Sequence, residues 1–380
     1  MIENGRISVL QMAILVYPTI IATAILLLPA ITGDQAKQDM WLSPIWASAA
    51  GFLAVFLAIR LNNRFPDMTI IQYSEVIVGK FLGKAIGLLF ILFLAHNCGV
   101  TLREYGEFVK GNFLEDTPLA VIIGSMIFIC ALAVRGGIEV MARSAQVFVP
   151  VVTVLFIVVL LLLIPDITPG NVQPVFKDGI MPSLKGATVA AGWFLEFFVI
   201  AFMLPFLRNR KKSAKWSIIT VVAVIITMVV TNLVTLFIFG ALTPTFTYPV
   251  MEAARYISIA EFIQHMESVV MAIWVGGIFI KISVLLYITV LSTAQWVRLS
   301  DYRPIVFPYA FIIGVLGHWS AENVQELEKF LKETFPIYAL LFLALLPTML
   351  LVTAAARGLR SQNTDNRTSS DASAGKDRSK

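Results

Sequence analysis

The sequence predicts an all-α polytopic membrane protein with ten transmembrane helices. Of its 380 residues, 58% are hydrophobic and only 14% are charged, whereas soluble domains carry roughly 25% charged residues. Ten apolar runs fill most of the chain, and most of them approach the ~20 residues that a helix needs to cross a bilayer. Lys and Arg collect in every second gap between these runs. A soluble core could not bury this much apolar surface.

The ten predicted spans correspond to the apolar runs. They cover approximately Ile7 to Leu28, Leu42 to Leu61, Ile86 to Val109, Leu119 to Val134, Ala145 to Ile164, Thr188 to Leu207, Trp216 to Gly240, Ser268 to Trp296, Ile305 to Leu316 and Ile337 to Ala356. The ninth run is the shortest. We expect residues 1–360 to form one membrane domain. Residues 361–380 lack large apolar side chains and are expected to form a disordered tail.

The distribution of basic residues predicts the orientation of the spans. The termini and every second gap together hold 20 Lys and Arg residues, whereas the intervening gaps hold seven. Because Lys and Arg accumulate in cytoplasmic loops, we expect both termini to face the cytoplasm, which an even number of spans allows. The net charge of +5 therefore reflects topology rather than nucleic-acid binding, since the basic residues do not line one face.

Several functional classes are not indicated by the sequence. The first apolar run is too long for the core of a cleavable signal peptide. Cys98 and Cys130 fall inside predicted spans, which argues against a disulfide framework or a zinc site. His96, His265 and His318 are too dispersed for a metalloprotease helix, and no phosphate-binding loop or nucleophile elbow is found. We therefore predict neither an enzyme nor a bound cofactor or metal.

Two segments between spans favour short helices at the membrane surface. Phe65 to Gly79 is mildly amphipathic and predicts an interfacial helix. Tyr248 to Tyr256 begins with a proline in a helix-compatible first turn and predicts a surface helix, with a lid as the alternative. Gly79, Gly83 and Gly87 have the spacing of small residues that lets helices approach closely. Packing within the chain is the simpler interpretation, and a subunit contact is the alternative.

The third span carries polar residues on two neighbouring stripes of its helix. Asn97, Thr101 and Glu104 share one stripe, and Arg103 can pair with Glu107 one turn later. Ionisable residues in a membrane usually face a partner or a cavity. The Arg103 and Glu107 pair either neutralises itself near the outer interface or lines a cavity.

Glu196 and Lys281 each lie about midway along a predicted span, the sixth and the eighth. Both are therefore expected near the centre of the bilayer, where an unpaired charge is costly. We predict a buried contact between them, direct or through water. A pair that only fixes helix packing is the alternative interpretation.

The first and sixth spans contain residues that interrupt helices. Pro18 and Pro29 lie in or at the end of the first span, and Gly192 and Pro205 occupy similar positions in the sixth. Interrupted helices at corresponding positions of two halves indicate a ligand site at the membrane midplane, built from inverted repeats. A proline kink without a ligand is the alternative.

Four short motifs resemble a known membrane protein family. They are Ile7-Ser8-Val9-Leu10-Gln11, Ala24-Ile25-Leu26-Leu27-Leu28-Pro29, Gln38-Asp39-Met40-Trp41-Leu42-Ser43-Pro44 and Trp274-Val275-Gly276-Gly277-Ile278-Phe279-Ile280-Lys281-Ile282-Ser283. In order and spacing they resemble the B subunit of spore germinant receptors, the endospore germination permeases, over about Gly5 to Arg357. One departure is that Ala22 and Ala24 stand where the family often has glycine beside threonine, which makes unwinding of the first span harder.

The resemblance implies the fold of amino acid, polyamine and organocation transporters. Two inverted five-helix repeats, at about 7–164 and 182–356, would form a permease-like domain in which helices 1 and 6 are interrupted. It also implies a subunit that binds a small nutrient, often an amino acid, in the inner spore membrane beside a receptor A subunit and a lipoprotein C subunit. The implied ligand-binding residues are Ala22, Thr23, Ala24, Asn97, Thr101, Tyr105, Gly192, Trp193, Glu196 and Lys281.

A binding mode follows from these implied positions. The carboxylate of the ligand would bind N–H groups at the break in the first span, and its ammonium group would meet backbone carbonyls or an acid. Trp193 or Tyr105 would close over the side chain, and Lys281 would supply the positive charge of a coupling cation. A proton-coupled amino acid transporter and a ligand-gated channel subunit are the alternatives to a sensor, because one fold can host all three activities.

Overall fold

The computed structural model describes residues 2–3, 5–257 and 266–360. Within these residues all regular secondary structure is helical, apart from one isolated β-bridge between Ile7 and Leu207. The longer helices are Val9–Ala36, Ser43–Arg64, Lys80–Asn112, Leu119–Arg135, Ile138–Leu162, Met181–Leu195, Ser213–Phe239, Met266–Val297, Val306–Trp319 and Leu346–Ala356. Shorter helical segments are Lys37–Leu42, Ile70–Val78, Ile164–Asp166, Pro169–Val172, Glu196–Val199, Ile200–Met203, Leu204–Phe206, Gly240–Thr245, Pro249–Tyr256, Arg303–Ile305, Val324–Lys329, Phe330–Thr334, Phe335–Leu340 and Leu341–Leu345.

Within the described residues these helices correspond to ten spans, as the sequence predicts. Seven stretches of the described chain are long and apolar enough to cross a membrane, and the first of them, Val9–Arg64, contains spans 1 and 2. The shorter helices Leu119–Arg135 and Val306–Trp319 are spans 4 and 9. Span 10 extends from Val324 to Ala356 as consecutive helical segments without a gap. The predicted disordered tail, 361–380, lies outside the described residues.

The outward surfaces of the spans are apolar. Phe81, Phe311, Met349 and Val147 are each more than three-fifths exposed, which would be unfavourable in water. In a bilayer such side chains contact hydrocarbon, while the backbone polar groups are satisfied within each helix. The fold is therefore that of an integral membrane protein.

The packing of the spans is repeated in the two halves of the chain. Span 1 packs against span 7, and span 6 packs against span 2 in the same way. Span 1 contacts span 5, and in the second half span 6 contacts span 10. Likewise span 4 contacts span 8, and its counterpart, span 9, contacts span 3. Because each half has five spans, the second half crosses the membrane in the opposite direction. The two halves are inverted repeats with spans 1 and 6 at the centre.

Span 6 is interrupted and span 1 is not. In span 6 the α-helix ends at Leu195 and is followed by a 3-10 segment, Glu196–Val199, at the middle of the span. The prediction for span 6 is confirmed. Span 1 is α-helical throughout Val9–Ala36 with Pro18 and Pro29 inside it, so the predicted interruption of helix 1 is wrong. No glycine lies between residues 6 and 32, and alanine favours helix where glycine would weaken it.

The two repeats are joined by backbone hydrogen bonds at the face that carries the N-terminus, hereafter the N-terminal face. The N–H of Ile7 donates to the carbonyl of Phe206 at 3.1 Å, and the N–H of Arg208 donates to the carbonyl of Ile7 at 3.0 Å. Ile7 directly precedes span 1 and Phe206 ends span 6. We call this pair of bonds the N-terminal closure.

A buried glutamate supports the N-terminal closure. Glu3 is 3% exposed and accepts hydrogen bonds from the hydroxyls of Tyr287 and Tyr302, at 3.3 and 3.1 Å. It also accepts from the backbone N–H groups of Gly5 and Ile138. Burial and the neighbouring Glu3 carboxylate raise the pKa of Tyr302, which keeps its hydroxyl a donor. The N-terminal segment thereby contacts both span 5 and span 8.

The predicted interfacial helix is present as Ile70–Val78, and it packs closely on span 3. A Cβ atom at Gly83 would lie 2.4 Å from the Cα of Glu75, which is backbone of this helix. At Gly87 a Cβ would lie 3.0 Å from Trp296. Two of the three regularly spaced glycines therefore serve packing within the chain. The predicted surface helix is also present, as Pro249–Tyr256.

We expect Gly83→Ala to destabilise the protein by about 1–3 kcal/mol, the usual cost of overpacking. The added methyl group meets backbone, which cannot rotate away as a side chain can. The matched control is Gly124→Ala, which lies inside the Leu119–Arg135 helix with nothing within 4 Å of an added Cβ. It should be neutral or stabilising by up to ~1 kcal/mol. Thermal unfolding of the purified protein measures both, and equal melting temperatures would contradict the close contact.

Candidate functional site

A buried ion pair lies at the centre of the protein. The Nζ of Lys281 is 2.8 Å from Oε2 of Glu196, and their side chains are 2% and 1% exposed. Lys281 is in the middle of the Met266–Val297 helix, and Glu196 is the first residue of the 3-10 segment in span 6. The predicted contact between these residues is confirmed and is direct.

Three further side chains complete this group. The Thr23 hydroxyl oxygen accepts hydrogen bonds from Nζ of Lys281 at 2.8 Å and from Nε1 of Trp193 at 3.0 Å. Nδ2 of Asn97 donates to Oε1 of Glu196 at 3.1 Å. Both carboxylate oxygens of Glu196 therefore have a donor. We call Thr23, Asn97, Trp193, Glu196 and Lys281 the central polar cluster, and it joins spans 1, 3, 6 and 8.

An aromatic layer lies beside the central polar cluster. Nε1 of Trp274 donates to the backbone carbonyl of Ala22. Tyr105 stacks on Trp274 with ring centroids 5.9 Å apart, and Phe108 lies on Trp274 at 4.3 Å. A Cβ at Gly277 would be 3.3 Å from that of Ala22, so spans 1 and 8 approach closely here.

The remaining implied site residues do not join the cluster. Because span 1 is a continuous helix, neighbouring residues point about 100° apart, and of Ala22, Thr23 and Ala24 only Thr23 bonds to the cluster. Gly192 faces span 10, where a Cβ would lie 3.0 Å from Phe335. Thr101 is buried at 2% exposure, on the stripe of span 3 that also carries Asn97.

Arg103 and Glu107 form the predicted pair on span 3, with Nη2 and Oε1 2.6 Å apart. Arg103 also donates to the backbone carbonyls of His318 and Glu322, at 2.6 and 3.0 Å. It therefore holds the end of span 9 and the loop after it against span 3. These contacts favour the structural interpretation of this pair over a cavity-lining one.

Two residues near the cluster were not among the predicted site residues. Trp274 belongs to the motif that carries the family resemblance, but its bond to Ala22 depends on how the helices are rotated. Glu104 lies on the polar stripe of span 3 that the sequence predicts, but it is not one of the implied ligand-binding residues. It is 4% exposed, and its Oε1 has no hydrogen-bond partner among the described residues.

A small apolar cavity of about 40 Å³ borders the aromatic layer. It is lined by Tyr17, Pro18, Ile21, Ala22, Ile25, Phe148, Val149, Val152, Thr153, Phe156, Thr227, Ile273, Trp274, Gly276 and Gly277. The hydroxyls of Tyr17 and Thr227 are hydrogen-bonded at 2.8 Å. In the part of the chain that the structure describes, no group of three or more His, Cys, Asp or Glu side chains is arranged to hold a metal ion.

The inverted repeats, the interrupted sixth span and the charged centre define a protein with the fold of secondary transporters. Solved structures agree. Mhp1, a nucleobase-cation-symport-1 family transporter in a closed conformation with bromovinylhydantoin bound, matches with a TM-score of 0.65 at 14% identity, over 91% of this chain and 78% of that one. MhsT in complex with L-phenylalanine matches with a TM-score of 0.62 at 12% identity, over 92% of this chain and 98% of that one. At these identities the likeness concerns the fold alone.

The chain belongs to the spore germination protein family, whose model matches residues 6–326. Spore germination protein KB of Bacillus subtilis (strain 168) is 25% identical over 358 residues, which are 93% of this chain and 95% of that protein. Spore germination protein YndE of the same strain is 26% identical over 298 residues, 77% of this chain and 81% of that protein. The resemblance seen in the sequence motifs is confirmed.

We expect Glu196→Leu and Lys281→Met each to lower the free energy of unfolding by about 3–5 kcal/mol, because each leaves a buried charge without its partner. The double variant should be less destabilised than the sum of the two, and less than the worse single variant. A double-mutant cycle by thermal or denaturant unfolding measures this coupling.

The matched control is the exposed pair of Lys37 and Asp178, whose charged atoms are 2.7 Å apart. Replacing one or both of these residues with alanine should change stability little, since water replaces the lost partner. Additive effects of Glu196→Leu and Lys281→Met would contradict the buried pair.

Proposed function

We propose that this protein is the nutrient-sensing subunit of a spore germinant receptor. It binds a small germinant, an amino acid, near the midplane of the inner spore membrane and so triggers germination. Residues 1–360 act as one permease-like domain, and both termini face the cytoplasm. Its partners are a receptor A subunit, a lipoprotein C subunit and the lipid bilayer.

The observation that carries this proposal is the location of the central polar cluster within a member of the spore germination family. The cluster joins spans 1, 3, 6 and 8 through Thr23, Asn97, Glu196 and Lys281. Polar side chains at this depth are costly and usually mark a functional site. Transporters of this fold bind substrate between the repeats at the same depth.

The cluster suggests how a ligand changes the conformation. A ligand shifts an equilibrium only through its different affinity for the two states. Thr23 accepts from Trp193 of span 6 and from Lys281 of span 8, so these bonds hold the two repeats together. A ligand that replaces either bond favours an arrangement in which span 1 moves relative to spans 6 and 8. Trp193 or Tyr105 then closes over the side chain of the ligand.

The basic loop after span 6 is the element that we propose passes this change to a partner subunit. It directly follows the N-terminal closure, and Arg210 in this loop is 3.0 Å from Asp67 in the loop before the interfacial helix. Movement of span 6 therefore displaces a charged surface on the N-terminal face.

Lys281 has a second role in this proposal. Its ammonium group lies between span 1 and span 6, bonded to Thr23 and Glu196. A fixed positive charge here takes the place of a mobile coupling cation. The conformational change then needs the nutrient alone.

We expect Thr23→Val to lower the half-maximal germinant concentration of spores by about tenfold, because the bonds that the ligand has to replace are then already absent. Valine keeps the shape of threonine but removes the oxygen that accepts from Lys281 and Trp193, and a bond to a charged donor contributes about 1.5–3 kcal/mol. Germination dose-response curves measure the effect, with protein levels checked by immunoblot.

Thr348→Val is the matched control. The Thr348 hydroxyl donates only to Ala344 of its own helix, in span 10. Spores with this variant should germinate as the wild type does. An unchanged dose-response for Thr23→Val at a normal protein level would remove Thr23 from the binding site.

Transport is the second candidate, because the fold is that of cation-coupled symporters. If the protein is a sensor, the purified chain in liposomes should not accumulate a radiolabelled germinant amino acid above protein-free liposomes, with or without a proton gradient. Gradient-driven uptake that Glu196→Gln abolishes would favour a proton-coupled transporter instead.

A further inference from the structure

Glu104 is a buried acid that the central polar cluster does not neutralise. It is 4% exposed, and its Oε1 has no hydrogen-bond partner among the described residues. It shares a stripe of span 3 with Asn97 and lies about 10 Å further along the helix axis, since seven residues rise ~1.5 Å each. Its carboxylate interacts electrostatically with Lys281 and Glu196.

The buried charges in this region do not balance. Lys281 is paired with Glu196, and Arg103 is paired with Glu107. Glu104 makes no ion pair among the described residues, and nearer the surface Oε1 of Glu328 also has no hydrogen-bond partner. A lone carboxylate in a low-dielectric interior is costly. Without a cation beside it Glu104 is expected to hold a proton, and a positive group that displaces this proton would complete a neutral pair.

A cavity opens at the face opposite the N-terminal face, which is the face toward which Glu104 is displaced along span 3. Its volume is about 420 Å³, and its wall includes Leu27 and Ile31 of span 1, Thr247, Glu328, Lys329 and Lys332. Tyr248, the next residue after Thr247, is close enough to Glu104 and Glu328 that burial and these carboxylates raise its pKa. Along span 3, Glu104 lies about 10 Å nearer to this face than Asn97 of the central polar cluster does.

We propose that Glu104 binds the ammonium group of the ligand, so that the amino group rather than the carboxylate is the anchor. The inference rests on the proposed function and names the chemical group that the site recognises. A primary ammonium group brings one positive charge and three N–H donors. Thr101, one turn earlier on the same stripe, offers a hydroxyl oxygen as a second acceptor.

The continuous helix of span 1 supports this assignment. The N–H groups between Pro18 and Pro29 are used within the helix, so they are not free to bind a carboxylate there. Lys281 is occupied by Thr23 and Glu196. The charge of Lys281 is therefore already neutralised by Glu196, and a ligand carboxylate would have to compete with Glu196 for it, whereas a ligand amine meets the unpaired acceptor Oε1 of Glu104.

The test compares blocked and free forms of the same amino acid. The full-length protein is purified in lipid nanodiscs, and each standard L-amino acid is added in a thermal-shift titration. For every amino acid that stabilises the protein, the N-acetyl derivative and the carboxamide derivative are then titrated. N-acetylation removes the ammonium group, and amidation removes the carboxylate.

We expect the carboxamide to stabilise the wild-type protein and the N-acetyl form to be inactive. Glu104→Gln should weaken the response to the free amino acid by about tenfold or more, the usual loss for a charge-assisted hydrogen bond. Glu107→Gln is the matched control on the same helix. Its carboxylate is already paired with Arg103, so selectivity between the two derivatives should not change.

Three outcomes would overturn the inference. If no amino acid stabilises the wild type, the proposed function fails and this inference fails with it. If the N-acetyl form binds and the carboxamide does not, the Glu104 assignment alone fails. The same holds if Glu104→Gln responds as the wild type does. If Glu104→Gln does not fold, Glu104→Asp is used instead. The shorter acid should keep the selectivity between the two derivatives but bind with weaker affinity. A titration unchanged from that of the wild type would contradict the assignment.

Discussion

The ion pair between Lys281 and Glu196 is the interaction on which the arrangement of the central spans depends. At this depth each charge needs a partner, because the surrounding spans offer little else that is polar. Asn97 donates a hydrogen bond to the second carboxylate oxygen of Glu196, and Lys281 donates a second hydrogen bond to the Thr23 hydroxyl. Spans 1, 3, 6 and 8 cannot move independently while these bonds persist. Rigidity at the centre and sensitivity to a ligand thus have the same origin.

Much of the fold could be predicted from the sequence, because a bilayer imposes length and polarity on every span. The pair of Glu196 and Lys281 was predictable for the same reason, since two opposite charges at similar depth have few other partners. The interruption of span 1 was not correctly predicted. Pro18 and Pro29 suggested a break, but prolines are tolerated inside membrane helices, and Ala22 and Ala24 keep the helix intact.

The rest of the candidate site depended on helix rotation, which composition does not reveal. Gly192 is next to Trp193 in the chain, yet it packs on Phe335 of span 10 while the indole of Trp193 bonds to Thr23. The role of Glu104 also depends on helix rotation and could not be predicted from the sequence. Its place on a polar stripe was visible, but only the three-dimensional structure shows that Arg103 turns to Glu107 and leaves Glu104 unpaired.

The N-terminal closure has a consequence for how the sequence can diverge. It consists of bonds between the peptide groups of Ile7, Phe206 and Arg208, and every residue except proline has the same peptide donor and acceptor. Substitutions at these positions, other than to proline, therefore keep the hydrogen bonds, whichever side chain is introduced. A joint of this kind suits a lineage whose members have kept about a quarter of their residues in common, as this chain and protein KB have at 25% identity.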